Sequence, residues 1–148
     1  SAVHRQQQSQ TPDLYLPWRR QRLEHAAHIS ADAYVLGRRE LDRIRRSITS
    51  VFADVDVIVT PTTPVQAITV ADAQAMVVPP PPPGELWLRN TRLFNGYALP
   101  TISLPCGFTR AGLPIGLQIT GPRFAESRVL AFARAYERAS DWQRLPPI

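Results

Sequence analysis

Apolar positions recur at three- and four-residue spacing through Tyr34, Gly37, Leu41, Ile44, Ile48, Val51 and Phe52. This pattern predicts one amphipathic helix, capped by Ser30 and running to about Phe52, with its apolar stripe against a core. A second helical pattern, through Leu86, Leu93, Phe94 and Tyr97, predicts a short helix over residues 86–97 that carries Arg89, Asn90, Thr91 and Asn95. A third, through Val129, Leu130, Phe132, Ala133, Tyr136 and Ala139, predicts a helix over residues 125–142. Between these helices the period changes to two. Ile102, Leu104, Cys106 and Phe108 alternate with Thr101, Ser103, Pro105 and Gly107, and Ile115, Leu117 and Ile119 alternate with Gly116, Gln118 and Thr120. Two strands are predicted, joined most simply as a hairpin through the Gly112 segment, with a longer crossover as the alternative. The β-branched run in "DVDVIVT", residues 54–60, predicts a strand buried on both faces, and the prolines of "PTTPVQA" open a loop after it. A short helix is expected over residues 18–27, an extended or poorly ordered arm over residues 1–17, and a stiff polyproline II loop at the five prolines 79–83. The order of helix, strand, helix, two strands and helix predicts an α/β chain.

With 148 residues, one domain with one core is expected, and 44% hydrophobic residues is ordinary for a soluble protein. No stretch reaches the roughly 18 to 20 apolar residues of a membrane helix, and the N-terminus carries no secretory pattern, so the expected location is cytoplasmic and no membrane partner is expected. The chain begins at Ser1 without an initiator methionine, which suggests a piece of something larger. Its net charge is +5, but the clustered Arg38, Arg39, Arg43, Arg45 and Arg46 share the long helix with Glu40 and Asp42. They are expected to form a solvated, ion-paired face rather than a nucleic-acid surface. The single cysteine permits no internal disulfide, and the three histidines with Cys106 show no metal-ligand spacing, so no metal and no cofactor is expected.

Cys106 lies in phase with Ile102 and Leu104, and every histidine lies in the first 28 residues, far from it in sequence. A nucleophilic cysteine needs a neighbouring base or cation, so a packing role is expected. All 17 basic residues are arginine. No lysine base or Schiff base exists on this chain, nor does it contain a Gly-x-Ser-x-Gly elbow or a glycine-rich phosphate loop.

"DVDVIVTPTTP", followed by "RNTRLFNGYALPTISLPCGFTRAGLPIGLQITGPRFAESRVLAFARAYERASDW", resembles the C-terminal portion of the amidase signature hydrolases over residues 30–142. The resemblance implies part of a mixed-sheet fold, with residues 1–29 as an arm and short helix and residues 30–148 as the C-terminal part of the domain. It also implies hydrolysis of carboxamide C–N bonds through a serine nucleophile, a second serine in a cis peptide and a lysine base. In that scheme a buried neutral lysine takes a proton through the bridging serine while loop amides hold the oxyanion. Those groups lie upstream in the family. This chain is therefore expected to supply no catalytic residue and to be inactive alone. What it supplies by resemblance is one side of the acyl pocket, with Thr62 in the segment 60–64 and Arg89, Asn90, Thr91 and Asn95 on the helix as substrate-binding candidates. In the glutamine-using branch, an aspartate three residues before the equivalent of Thr91 reads the substrate's amino group. Leu88 stands there, which points to a general aryl or aliphatic amidase acting on a small amide. A non-catalytic binding or regulatory domain of the same fold is the alternative, followed by a basic nucleic-acid-binding module. Strand 54–60, if parted from neighbouring strands, is expected to self-associate through its exposed edge.

Overall fold

The computed structural model describes residues 3–75 and 84–140. It is a mixed α/β structure in which helices surround a three-stranded antiparallel sheet of order β1-β3-β2. The strands are β1 (Ile58–Pro61), β2 (Thr101–Phe108) and β3 (Pro114–Thr120). The expected hairpin forms β2 and β3, turning at Gly112, where φ is +80°. That conformation suits glycine because a Cβ would crowd the backbone. The last strand in the sequence lies in the middle, pairing Ile58 with Thr120 and Pro61 with Leu117 on one side, and Ile102 with Ile119 and Leu104 with Leu117 on the other.

One face of the sheet carries the core. Ile119 packs with Val129 and Ala133 of α6 (Glu126–Ala139), flanked by Val57, Ile102, Leu104 and Leu117. Gly121 permits this approach, since a Cβ there would sit 2.6 Å from a methyl of Val129. Arg128 of α6 also reaches Asp56, just before β1, at 3.2 Å. Helix α6 lies over β2 and β3, and Val59 on the same face of β1 remains 53% exposed. The expectation that β1 is buried on both faces is therefore corrected: it is an edge strand that α6 does not cover.

The register also corrects the reading of β2. A bulge between Pro105 and Gly107 places Gly107, not Cys106, opposite Ile115, and Phe108 opposite Pro114. One extra residue reverses the alternation beyond it, so Phe108 leaves the phase of Ile102 and Leu104 and is 40% exposed. Cys106 is half-buried at the bulge, its thiol 3.4 Å from the Ile115 carbonyl.

The long helix α3 (Ala31–Ser47) starts as expected, with the Ser30 hydroxyl accepting from the Ala33 amide at 3.1 Å. It gives way to a 3-10 segment, Ile48–Ala53, where a continuous helix was expected. Its apolar stripe is not buried in a core. Tyr34 and Leu36 are exposed, Leu41 and Ile44 are half-buried beside α5 (Arg89–Tyr97), the helix with which α3 makes its main interhelical contact, and Ile48 is half-buried in the segment that follows. The Arg45 Nε donates to the Gly96 carbonyl at 2.9 Å, tying α3 to α5. On the outer face Arg43 pairs with Glu40, as expected of a solvated surface, whereas the Arg45–Asp42 pair lies toward α5, where Arg45 is partly buried. The hydrogen bonds from Arg43 hold the Glu40 carboxyl below its ordinary range.

Toward the N-terminus α2 (Pro17–Ala27) matches the expected short helix, but the preceding arm is not extended. Helix α1 (Arg5–Gln10) and a 3-10 turn at Pro12–Leu14 occupy it, held by local bonds such as Thr11 to the Gln7 carbonyl. The short helix α4 (Val70–Ala75) falls within the expected loop. The five prolines 79–83 lie outside the described residues.

Candidate functional site

The sheet face opposite α6 is polar. Thr60 and Ser103 flank Gln118 in register, and Thr101 pairs with Thr120. Gln118 is 2% exposed and Thr120 0%, so residues that simple alternation turns toward solvent are buried. Hydrogen bonding makes this tolerable, with the Thr101 and Thr120 hydroxyls 3.1 Å apart and the Gln118 amide donating to Thr60 at 3.4 Å. Beyond β1 the chain continues along β3. The Thr62 amide donates to the Gly116 carbonyl at 2.8 Å, and the Thr62 hydroxyl meets that of Ser103 at 2.5 Å.

Helix α5 is attached at this point. A 3-10 segment, Gly84–Leu88, leads into it, and the Asn90 side chain donates to the Pro61 carbonyl at 2.6 Å. Two sequence candidates, Asn90 and Thr62, are thus brought to the same end of β1. Asn90 holds backbone, while Thr62 is half-buried and already bonded to Ser103. Thr91 and Asn95, four residues apart, share another face of α5. The Thr91 hydroxyl donates to the Leu88 carbonyl at 3.2 Å, and the exposed Asn95 side chain makes no hydrogen bond among the described residues. Arg89 is separated from the others. It lines a cavity of about 540 Å³ between α3 and α5, with Leu41, Ile44, Leu93 and Tyr97 among its walls.

A second cavity, of about 410 Å³, opens between the loop after β1, Trp87 and the tip of the hairpin. Its walls include Pro61, Thr63, Pro64, Val65, Trp87 and Ile115. Sequence reasoning placed Thr63 and Pro64 near a pocket but did not single out Trp87 or Ile115. A tryptophan in a helical pattern reads as packing, and only the hairpin's return brings Ile115 back to the loop.

The five candidates can orient a ligand by hydrogen bonding, through hydroxyls and amides, with one guanidinium set apart. None is a group that exchanges a proton near neutral pH, so the arrangement fits binding and positioning rather than acid–base work. Among the described residues no cluster of three or more metal-ligating side chains occurs, and no helix is long and apolar enough to cross a membrane.

This arrangement of helices and antiparallel sheet is that of the amidases. A crystal structure of an amidase superposes over 95% of this chain and 32% of its own, with a TM-score of 0.82 at 21% identity. A 6-aminohexanoate cyclic dimer hydrolase superposes over 86% of this chain and 28% of its own, with a TM-score of 0.71 at 22% identity. The sequence model of the Amidase family matches residues 5–130, and the chain belongs to that family. It is similar to a glutamyl-tRNA(Gln) amidotransferase subunit from a Synechococcus strain, at 40% identity across 78% of this chain and 24% of the relative. The corresponding subunit from Thermotoga maritima is 32% identical, with a TM-score of 0.60 over 85% of this chain and 27% of that one. The chain thus spans about a quarter of the length of the curated relatives it matches.

Proposed function

We propose that this chain is the C-terminal part of an amidase signature enzyme that hydrolyses carboxamide C–N bonds, and that the serine nucleophile, the cis-peptide serine and the lysine base lie upstream of it. Family membership supports the reaction class, and the absence of any lysine supports the division of labour. The observation that carries this part's role is the bond from Asn90 to the Pro61 carbonyl. It fixes the first turn of α5 to the end of β1, beside the loop that starts at Thr62, which supports a binding role for that junction. Thr62 and Asn90 at that junction, Thr91 and Asn95 on another face of α5, and Arg89 toward α3 are the substrate-binding candidates. The substrate is a small amide, no cofactor is required, and the enzyme works in the cytoplasm.

A second reading has an observation of its own. The relatives named above are amidotransferase subunits, which favours release of ammonia from glutamine for transfer. Against it stands Leu88, 55% exposed, where the resemblance places the aspartate that pairs with an amino group. An apolar side chain offers an ammonium nothing.

Steady-state assays of the full-length enzyme against glutamine and a graded series of simple amides separate the two. Hydrolysis of the simple amides with weak glutaminase activity is expected, and Thr91→Ala and Asn95→Ala should change relative kcat/KM across the series several-fold with little loss of Tm. Dominant glutaminase activity would favour the second reading. Unchanged selectivity in both variants would remove this helix face from the site.

A further inference from the structure

The cavity between α3 and α5 joins apolar walls to a cationic rim. Its volume of about 540 Å³ lies within the range of small-ligand pockets. Leu41 and Ile44 of α3, with Leu86 and Leu93 on the α5 side, supply the apolar surface. The polar side chains that line it are Arg89, Arg92 and Tyr97, and among the described residues no acidic side chain does. Arg89 forms no side-chain hydrogen bond or ion pair among the described residues.

Two features of α5 run against helix stability, and both bear on this space. Arg89 opens the helix and Arg92 follows on the same side, while the first turn holds no acidic residue, although the positive end of the helix dipole favours carboxylates there. An anion brought to that end would be held by the dipole and by the Arg89 guanidinium together. The second feature is Gly96. Glycine is a poor helix former, and close approach of a neighbour is the usual reason for one inside a helix. Here a Cβ would meet nothing within 4 Å, so no neighbour requires glycine, and the missing side chain leaves open the cavity that Gly96 lines. Arg45, itself paired with Asp42, donates to the Gly96 carbonyl at 2.9 Å and so fixes the spacing of the two helices.

We propose that this cavity binds an amphipathic organic carboxylate. Its carboxylate sits on Arg89 at the N-terminal end of α5, and its alkyl or aryl body runs along Leu41, Ile44 and Leu93 toward Gly96. The planar guanidinium matches a carboxylate with two parallel hydrogen bonds. Arg89 and Gly96 lie two turns apart on one face of α5, about 10 Å along its axis, which is the reach of a medium-chain acid. A cation would meet two guanidiniums there. A wholly apolar molecule would cover the leucines but take water from Arg89 without replacing it. The inference does not rest on the amidase reading, because binding is measured without turnover.

Isothermal titration calorimetry of the full-length protein with decanoate tests it, with decanol and acetate as probes of each half of the ligand. Decanoate is expected to bind roughly tenfold or more tightly than either control. Arg89→Gln should weaken decanoate by about tenfold, the scale of a lost charge-assisted hydrogen bond, and leave decanol unchanged. Gly96→Leu, which fills the space and favours the helix, should weaken decanoate and decanol alike without lowering Tm. Decanoate bound no more tightly than decanol, or bound within about twofold of wild type by either variant, would overturn the proposal. So would a full-length protein that binds no decanoate, the result expected if another of its segments occupies the groove.

Discussion

At Gly116 the chain needs the smallest possible residue, for a reason that lies 54 positions earlier in the sequence, at Thr62. A Cβ built on Gly116 would lie 2.6 Å from the Thr62 hydroxyl and 3.0 Å from both the Thr62 Cβ and the Ser103 hydroxyl. Gly116→Ala must therefore displace Thr62 and weaken its bond to Ser103. Overpacking of this kind costs about 1 to 3 kcal/mol, to be read from urea unfolding of the full-length protein. A change below half that lower bound would show that the loop yields freely. The alternation of β3 identified Gly116 as a position on the polar face, but not the close approach that requires glycine, because the contact is made across the sheet. Gln118 and Thr120 illustrate the same limit. Their spacing placed them opposite the apolar face, as observed, but burial depends on what covers that face, which spacing does not encode. Among the site candidates, the shared face of Thr91 and Asn95 followed from helical geometry alone. The isolation of Arg89 and the tether at Asn90 depended on partners 29 or more residues away.

At the scale of elements, local chemistry was legible where it was self-contained. Ser30 capped α3 as its sequence predicts, and the two period-two runs formed the hairpin. A cap of the same kind before α4 was available but unread. Thr69 accepts from the Asp72 amide at 3.0 Å and donates to the Asp72 carboxylate at 2.6 Å, a Thr-x-x-Asp capping arrangement. The end of α5 shows a local rule being broken. Ala98 adopts φ 55° and ψ 49°, the left-handed conformation in which glycine usually closes a helix, while the Ala98 and Leu99 amides bond back to Asn95 and Phe94. Ala98→Gly removes the steric conflict at Cβ but loosens the unfolded chain. The first effect, about 1 to 2 kcal/mol, exceeds the second, so a gain of about 0.5 to 1 kcal/mol is expected. Thermal unfolding of the full-length protein checks it, and a lower Tm would show that the methyl group makes a contact worth more than the strain. The bulge at Pro105–Gly107 was not legible, because the alternating pattern runs through it without a break.

For the whole molecule, the clustered core of Ile119, Val129 and Ala133 lies on one face of the sheet, while Phe94 of α5 and Leu99 are buried apart from it. The family resemblance was legible because its motifs occur in order along the chain, independent of how each packs. The extent of burial was not, since an apolar stripe such as that of α3 shows that a partner is required without naming it. Among the described residues no further strand pairs with the outer edges of β1 and β2, although Asn90 donates to the Pro61 carbonyl, and β1 carries the exposed Val59. The isolated 148-residue chain is accordingly expected to self-associate through the β1 edge. Light scattering coupled to size-exclusion chromatography should show a mass that rises with concentration, and Val59→Lys should shift it toward the monomer. A monomeric mass across a hundredfold concentration range would reject this.

The central place of β3 also constrains the order of assembly. Thr60 and Gln118 sit side by side in the sheet yet are 58 residues apart in the chain, whereas β2 and β3 are joined by a short turn. Closing the short loop costs far less entropy, so the hairpin forms first and supplies the template onto which β1 later docks. During synthesis, Ile58–Pro61 emerges from the ribosome well before the residues it will pair with. Until Thr120 follows, that strand lacks the partner it has among the described residues, and this interval is when chaperones would have most to protect.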